Sequence, residues 1–148
     1  MKTQVTTCLA LALLFLLTAV PAFPQGAQAD LPDAARAYIQ EHFPNERIAS
    51  VMRDDDTMGF DVILSGGTEI DFDRQGEVLE VDGKTAALPD SVVPGDILSH
   101  VRTQHVGLQV KEIEKEPYGY EVTLTNGKEL HFDKDGNLLR PQRPAPAQ

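Results

Sequence analysis

The sequence predicts an α+β domain made of two tandem α-β-β-β(-β) repeats that close into one antiparallel sheet with both helices on one face. Three observations predict it. Gly59–Leu79 (GFDVILSGGTEIDFDRQGEVL) recurs as Gly119–Leu139 (GYEVTLTNGKELHFDKDGNLL) at an offset of 60 without a gap, with nine of 21 positions identical. Upstream of each copy lies a segment of helical apolar spacing, and within each copy apolar and charged residues alternate with the period of a strand. The chain has a single Cys, so no intrachain disulfide can staple two small cores; separate units of this size would each be marginal, and the two are expected to share one core.

The first element of each repeat is a helix. Leu31, Ala35, Tyr38, Ile39 and Phe43 form one apolar stripe, opened by Pro32 and stopped by Pro44-Asn45. The second copy sets Ile97, Leu98 and Val101 behind Pro94 and ends near Gly107, with Gly95 and Thr103 weakening it. The upstream match runs at offset 62, the two extra residues of the first copy falling in the Asp54-Asp55-Asp56-Thr57 loop. Strands follow. Ile48–Met52 and Val110–Lys115 are the expected first strands, though their alternation is imperfect. Phe60, Val62 and Leu64 alternate with Asp61 and Ile63. Gly66-Gly67 and Asn126-Gly127 predict hairpin turns, the latter the pair favoured in type I′ turns. Ile70 and Phe72 point inward on the return strand, Gln75-Gly76 and Asp135-Gly136 turn the chain again, and Val78-Leu79 and Leu138-Leu139 begin a last strand. The repeats are assigned to residues 30–87 and 88–140, with Leu88–Pro94 linking them. Tyr38, Phe43, Phe60, Phe72, Tyr120 and Phe132 read as core.

The ends of the chain carry other signals. Lys2 followed by the apolar run Leu9–Val20 and the small-x-small site Ala27-Gln28-Ala29 has the layout of a signal peptide, residues 1–29. The run is too short to span a bilayer, so no stable membrane insertion is expected after cleavage, and the mature chain would be periplasmic or secreted. Cys8 would leave with the leader. Residues 141–148 (PQRPAPAQ) form a Pro-rich tail expected to be extended.

Function classes can be narrowed. With 23 Asp and Glu against 13 Lys and Arg, the net charge is −10, which disfavours a nucleic-acid partner. His42, His100, His105 and His131 do not fall at metal-helix spacing, and no nucleophile motif or phosphate loop is present. No catalytic residue, metal or cofactor is therefore assigned. The positions predicted to face away from the helices are Asp61, Ile63, Glu69, Asp71 and Asp73 in the first repeat and Glu121, Thr123, Glu129, His131 and Asp133 in the second, and seven of these ten are acidic. That face is either a solvated surface or a docking platform for a protein or peptide partner. The candidate partner-binding residues are Asp61, Glu69, Asp71, Asp73, Glu121, Glu129, His131 and Asp133, with Tyr118 beside Pro117 as an exposed aromatic anchor. Two alternatives stand beside the binding protein. Asp71, Asp73, Gln75, Gly76 and Asp82 have part of the spacing of an EF-hand loop, which would make the chain a calcium-binding envelope protein, although Asp and Gly also serve as ordinary turn residues. An enzyme of unrecognised class is the other.

These residues also carry a family resemblance. Leu31-Pro32, a helix ending His42-Phe43-Pro44, and Gly59-Phe60-Asp61-Val62-x-Leu64-Ser65-x-Gly67-Thr68-Glu69-Ile70-x-Phe72-Asp73 resemble the PepSY-like proteins described as β-lactamase-inhibitor-like, which are exported bacterial proteins with tandem repeats. The second copy fits equally, and the resemblance covers nearly all of Asp30–Arg140. It departs where His105-Val106 stands in place of Phe-Pro. It implies one antiparallel sheet with helices on one side and, by analogy with related modules that bind or restrain peptidases, a non-enzymatic inhibitor-like role. It does not imply inhibition of a β-lactamase.

Overall fold

A computed structural model describes residues 31–54 and 58–139. The expected signal peptide, the Pro-rich tail and the Asp55–Thr57 part of the acidic loop lie outside these residues. Among the described residues no helix is long and apolar enough to cross a membrane.

Seven strands form one fully antiparallel sheet in chain order: β1 (Ile48–Arg53), β2 (Phe60–Leu64), β3 (Glu69–Phe72), β4 (Val78–Asp82), β5 (Val110–Glu116), β6 (Gly119–Leu124) and β7 (Glu129–Asp133). Helix α1 (Asp33–His42) precedes β1, and α2 (Gly95–Gln104) crosses from β4 to β5 after a short 3-10 turn at Asp90–Val92. The order is thus α-β-β-β-β followed by α-β-β-β, as the duplication predicts.

The helices form where the apolar stripe permits. Leu31, Ala35, Ile39 and Phe43 recur every fourth residue and are all buried; Val93, Ile97 and Val101 do the same in the second repeat. Each helix opens behind a proline, whose missing N–H would have no helical partner there, and carries an acid, Asp33 or Asp96, in its first turn. Each closes with a backbone bond of 2.8–2.9 Å, Phe43 N to Ile39 O and His105 N to Val101 O. The departure at His105-Val106 therefore leaves the helix end intact: α2 is as long as α1.

Both helices lie on the same face. Their buried side chains join Phe60, Val62, Leu64, Ile70, Phe72, Val81, Ile113, Val122, Leu124, Leu130 and Phe132 in one continuous core. Tyr38 meets Phe72 edge-on at 6.0 Å, and its repeat counterpart His100 meets Phe132 edge-on at 5.4 Å. The repeats are sewn together by β4 and β5, through Glu80↔Glu114, Val81↔Ile113 and Asp82↔Glu112. One sheet and one interior are what a cysteine-free pair of small units requires.

Three details depart from the sequence reading. The turn at Asn126-Gly127 is not type I′, because Asn126 keeps a negative φ and only Gly127, at φ 81, is left-handed. Gly127 N bonds Leu124 O and Leu124 N bonds Lys128 O, which makes a three-residue loop closed by a glycine bulge. The loops ending at Gly67, Gly76 and Gly136 have the same two bonds, so these four turns use one design. Second, the imperfect alternation of β1 and β5 comes from β-bulges between Ile48 and Ser50 and between Val110 and Glu112, at matching places in the two repeats. Third, the last strand of the second repeat is reduced to a single bridge, Phe132↔Leu138, with Leu139 N bonding His131 O.

Candidate functional site

The face opposite the helices is built by strand register. Each inward core residue sends its neighbours outward, and the pairing sets those neighbours side by side across the sheet. One row runs Asp61↔Asp71↔Glu80↔Glu114↔Glu121↔His131 over β2 to β7. It places five carboxylates directly opposite one another on five successive strands, spanning about 19 Å at the usual strand spacing. A second row, Glu69↔Asp82↔Glu112, lies beside it.

The two rows are handled differently. In the second, the Lys84 ammonium bridges Glu69 and Asp82, at 2.9 Å from Asp82 Oδ2, and Lys111 lies 3.6 Å from Glu112. Burial would raise the Asp82 carboxyl, but hydrogen bonds from the Lys84 side chain and backbone outweigh it and hold it below its ordinary value. The same two carboxylates hold the Lys84 ammonium above its ordinary range. In the first row, among the described residues, no Lys or Arg pairs with Asp61, Asp71, Glu80 or Glu114. Their carboxyls bear the consequence. Glu80 is pushed up to about 7, first by burial and then by the charges of Asp71, Glu112, Glu114 and Asp82. Asp71 is raised by burial and by Asp61 and Glu69, with Lys84 opposing. Glu114 is raised by burial and by Glu116, Glu121 and Glu112. A recess of about 230 Å³ opens beside them, bordered by Asp54, Asp61, Asp71, Glu80 and Glu114, with Lys115 at its edge.

At the far end of the row His131 Nδ1 lies 3.4 Å from Glu121 Oε2 and 3.1 Å from the Tyr118 hydroxyl. Tyr118, in the two-residue turn between β5 and β6, is thus laid against the acidic face and remains 41% exposed.

The predicted site residues divide accordingly. Asp61, Asp71, Glu121, His131 and Tyr118 come together along the first row. Glu69 sits in the second, tied to Lys84, and Glu129 is exposed at its end, opposite Thr123. Asp73 and Asp133 do something else: Oδ1 of Asp73 accepts the backbone N–H of Gln75 and Glu77, and Oδ1 of Asp133 accepts those of Asp135 and Asn137. Through Oδ1 each carboxylate fastens a turn. The EF-hand spacing likewise resolves into a β-hairpin. Asp71 and Asp82 lie on paired strands in different rows, and Asp73 caps the turn between them. Sequence reasoning missed Glu80, Glu112 and Glu114, at the centre of both rows, and noticed Asp82 only as part of the EF-hand spacing. The signal was present as Glu112, Glu114 and Glu116 alternating around Ile113, but the bulge at Lys111 obscured its phase. A different acidic trio, Glu80, Asp82 and Glu112, can bring one oxygen each within 4.8 Å of the others.

A duplicated α+β unit with one covered and one bare sheet face defines the class of protein. The family model described as "Putative beta-lactamase-inhibitor-like, PepSY-like" matches residues 25–60 and 58–140 in tandem, and the chain belongs to that family. Among solved structures it is similar to "a putative periplasmic protein of unknown function" from Bacteroides vulgatus, at 36% identity over 76% of this chain and 91% of the other with a TM-score of 0.69. A second B. vulgatus protein, of the DUF2874 family and also described as periplasmic, is 34% identical over 76% and 90% of the two chains with a TM-score of 0.68. A third, described as "a putative calcium-regulated periplasmic protein" from Bacteroides thetaiotaomicron, is 32% identical over 76% and 90% with a TM-score of 0.70. No curated protein matches the chain.

Proposed function

We propose that the chain is a periplasmic, non-enzymatic, inhibitor-like binding protein whose acidic sheet face docks a cationic stretch of a protein or peptide partner. The observation that carries this reading is the row Asp61-Asp71-Glu80-Glu114-Glu121, of which the first four carboxylates have no Lys or Arg partner among the described residues. Like charges directly opposite in a sheet are destabilising, and a face required only for solubility is better served by interspersed signs. A Lys or Arg side chain entering the recess beside Glu80 would neutralise several of these carboxylates at once, and the field of the whole face would speed its arrival. Tyr118 at the end of the row offers an apolar contact. The periplasmic assignment is supported by the descriptions of the three similar structures and by the leader-like first residues.

The test is binding of a lysine-rich extended peptide, measured at low and high salt, to the wild type and to the Glu80→Gln, Glu114→Gln, Glu121→Gln triple variant. Saturable binding is expected that weakens about tenfold or more in the variant and falls steeply with salt. Equal binding by both proteins would remove the acidic row from the function. Capture from an envelope extract, wild type against variant, then identifies the natural partner.

A second reading is favoured by one observation, the convergence of Glu80, Asp82 and Glu112. Calcium takes carboxylate oxygens, and one structural relative is described as calcium-regulated. Here a cation would compete with the Lys84 ammonium for Asp82. Calcium titration by calorimetry separates the readings: a heat lost in Glu112→Gln supports it, and no heat at millimolar calcium dismisses it.

A further inference from the structure

The opposite side of the sheet carries a feature that the acidic face does not use. Over the junction of the repeats, between α1 and the segment entering α2, a cavity of about 320 Å³ lies on the helix-bearing face. Val81 and Ile113 floor it, and Ala34, Tyr38, Val92 and Tyr120 wall it. Two helices do not cover seven strands, and the gap falls where β4 and β5 cease to pair beyond Glu80 and Glu114.

Lys115 stands at this gap, and its register is unexpected. On β5 Ile113 points inward and Glu114 outward, so Lys115 points inward; it pairs with Tyr120, which pairs with core residue Phe132. Lys115 is exposed at the mouth of the gap, on the side of the sheet where alternation places apolar side chains. Its repeat counterpart, Arg53 opposite Phe60, rests its guanidinium 5.1 Å from the Phe60 ring centroid. Lys115 joins none of the ion pairs among the described residues. Clefts of this size with apolar walls and one convergent polar group are the usual form of small-molecule sites.

The geometry points to a binding site for a small apolar monocarboxylate, an alkyl or aryl acid, with its body over Val81 and Ile113 between the rings of Tyr38 and Tyr120 and its carboxylate at Lys115. Burial of apolar area supplies affinity, and the ammonium supplies the sign preference. The Tyr38 hydroxyl, pushed up to about 12 by burial and by the Glu41 charge, keeps its proton and remains a donor. Glu77, exposed on the turn at the rim, limits the ligand to a single negative charge beside Lys115.

The experiment is calorimetric titration of the purified protein with decanoate below its micelle threshold, with decyltrimethylammonium as the cationic analogue of equal chain length. One-to-one saturable binding of decanoate is expected, with the cation and the Lys115→Met variant each weaker by about fivefold or more and Lys115→Arg close to wild type. Ala34→Trp, at an exposed helix position lining the cavity, should abolish binding while leaving the thermal transition in place. No saturable heat from decanoate, or undiminished binding by Ala34→Trp, overturns the site. Equal binding of the cation, or of the Lys115→Met variant, overturns the assignment of a carboxylate. Lys115 also borders the acidic recess beside Glu80 and Glu114, so the Glu80→Gln, Glu114→Gln, Glu121→Gln variant should bind decanoate at least as tightly as the wild type while losing the lysine-rich peptide, which keeps this site distinguishable from the proposed docking face.

Discussion

On the helix-bearing side of the sheet Phe60, Val62, Ile70, Phe72, Val122 and Phe132 are buried against two helices, and each cross-strand neighbour adds to the packing of the next. On the opposite side, one residue out of phase along the same strands, Asp61, Asp71, Glu80, Glu114 and Glu121 stand opposite one another and oppose the pairing that holds them. The comparison separates what makes this chain fold from what it is suited to do. Stability comes from the first face; the second has groups whose protonation and charge are held away from their ordinary balance, as is common at functional surfaces.

The sharpest way to break the comparison is to open the covered face. Phe132→Ala should cost about 3–5 kcal/mol, because Phe132 is fully buried beneath α2. Urea unfolding should still show one transition in which both repeats are lost together. Two separate transitions would mean that the repeats do not share a core.

Turn chemistry is next. Asp73→Ala removes the acceptor for two backbone N–H groups, each bond 2.8 Å, and should cost about 1–2 kcal/mol in the same assay. An unchanged midpoint would return Asp73 to the list of free surface acids.

The bare face should respond in the opposite sense. Folding raises the Glu80 carboxyl to about 7, so the folded state holds its proton more tightly than the unfolded state. The resulting stabilisation is present in full below the ordinary Glu range and is lost as pH rises toward and through about 7. Wild-type thermal stability should therefore fall between about pH 5 and pH 8, and Glu80→Gln should flatten that fall, gaining a few tenths of a kcal/mol at about pH 8 and nothing at pH 5. A variant less stable than wild type at pH 8 would show that the row is internally compensated.

The smallest effect is that of salt. Raising ionic strength at pH 8 should stabilise wild type slightly by screening the row, and should stabilise the Glu80→Gln, Glu114→Gln, Glu121→Gln variant less. Identical salt responses would argue that these carboxylates do not feel one another.

Much of this architecture was legible without coordinates. The every-fourth-residue stripe of Leu31, Ala35, Ile39 and Phe43 marks a helix, and Phe60, Val62 and Leu64 mark a strand, because each pattern is a local consequence of backbone period. Gly67, Gly76, Gly127 and Gly136 mark turns for the same reason, although the loop type escaped notice, since Asn-Gly serves both a two-residue turn and the closing bulge of a three-residue loop. The site was only half legible. Asp61, Asp71 and Glu121 flank unbroken alternation and were placed outward correctly, whereas Glu80, Asp82, Glu112 and Glu114 follow bulged segments in which one extra residue inverts the phase. The turn-capping role of Asp73 and Asp133 was not legible, because a turn-capping carboxylate and a surface carboxylate look alike in a string of letters.

By itself the sequence determined the duplication, the elements and the sidedness of most strands, since these depend on residues near one another along the chain. Only the tertiary structure decided that the acids of both repeats meet in a single row across the β4–β5 seam, that Lys84 neutralises one row and leaves the other bare, and that Lys115 faces a gap between the helices. Those outcomes depend on strand register and on how far two helices can reach across seven strands, which no local period encodes.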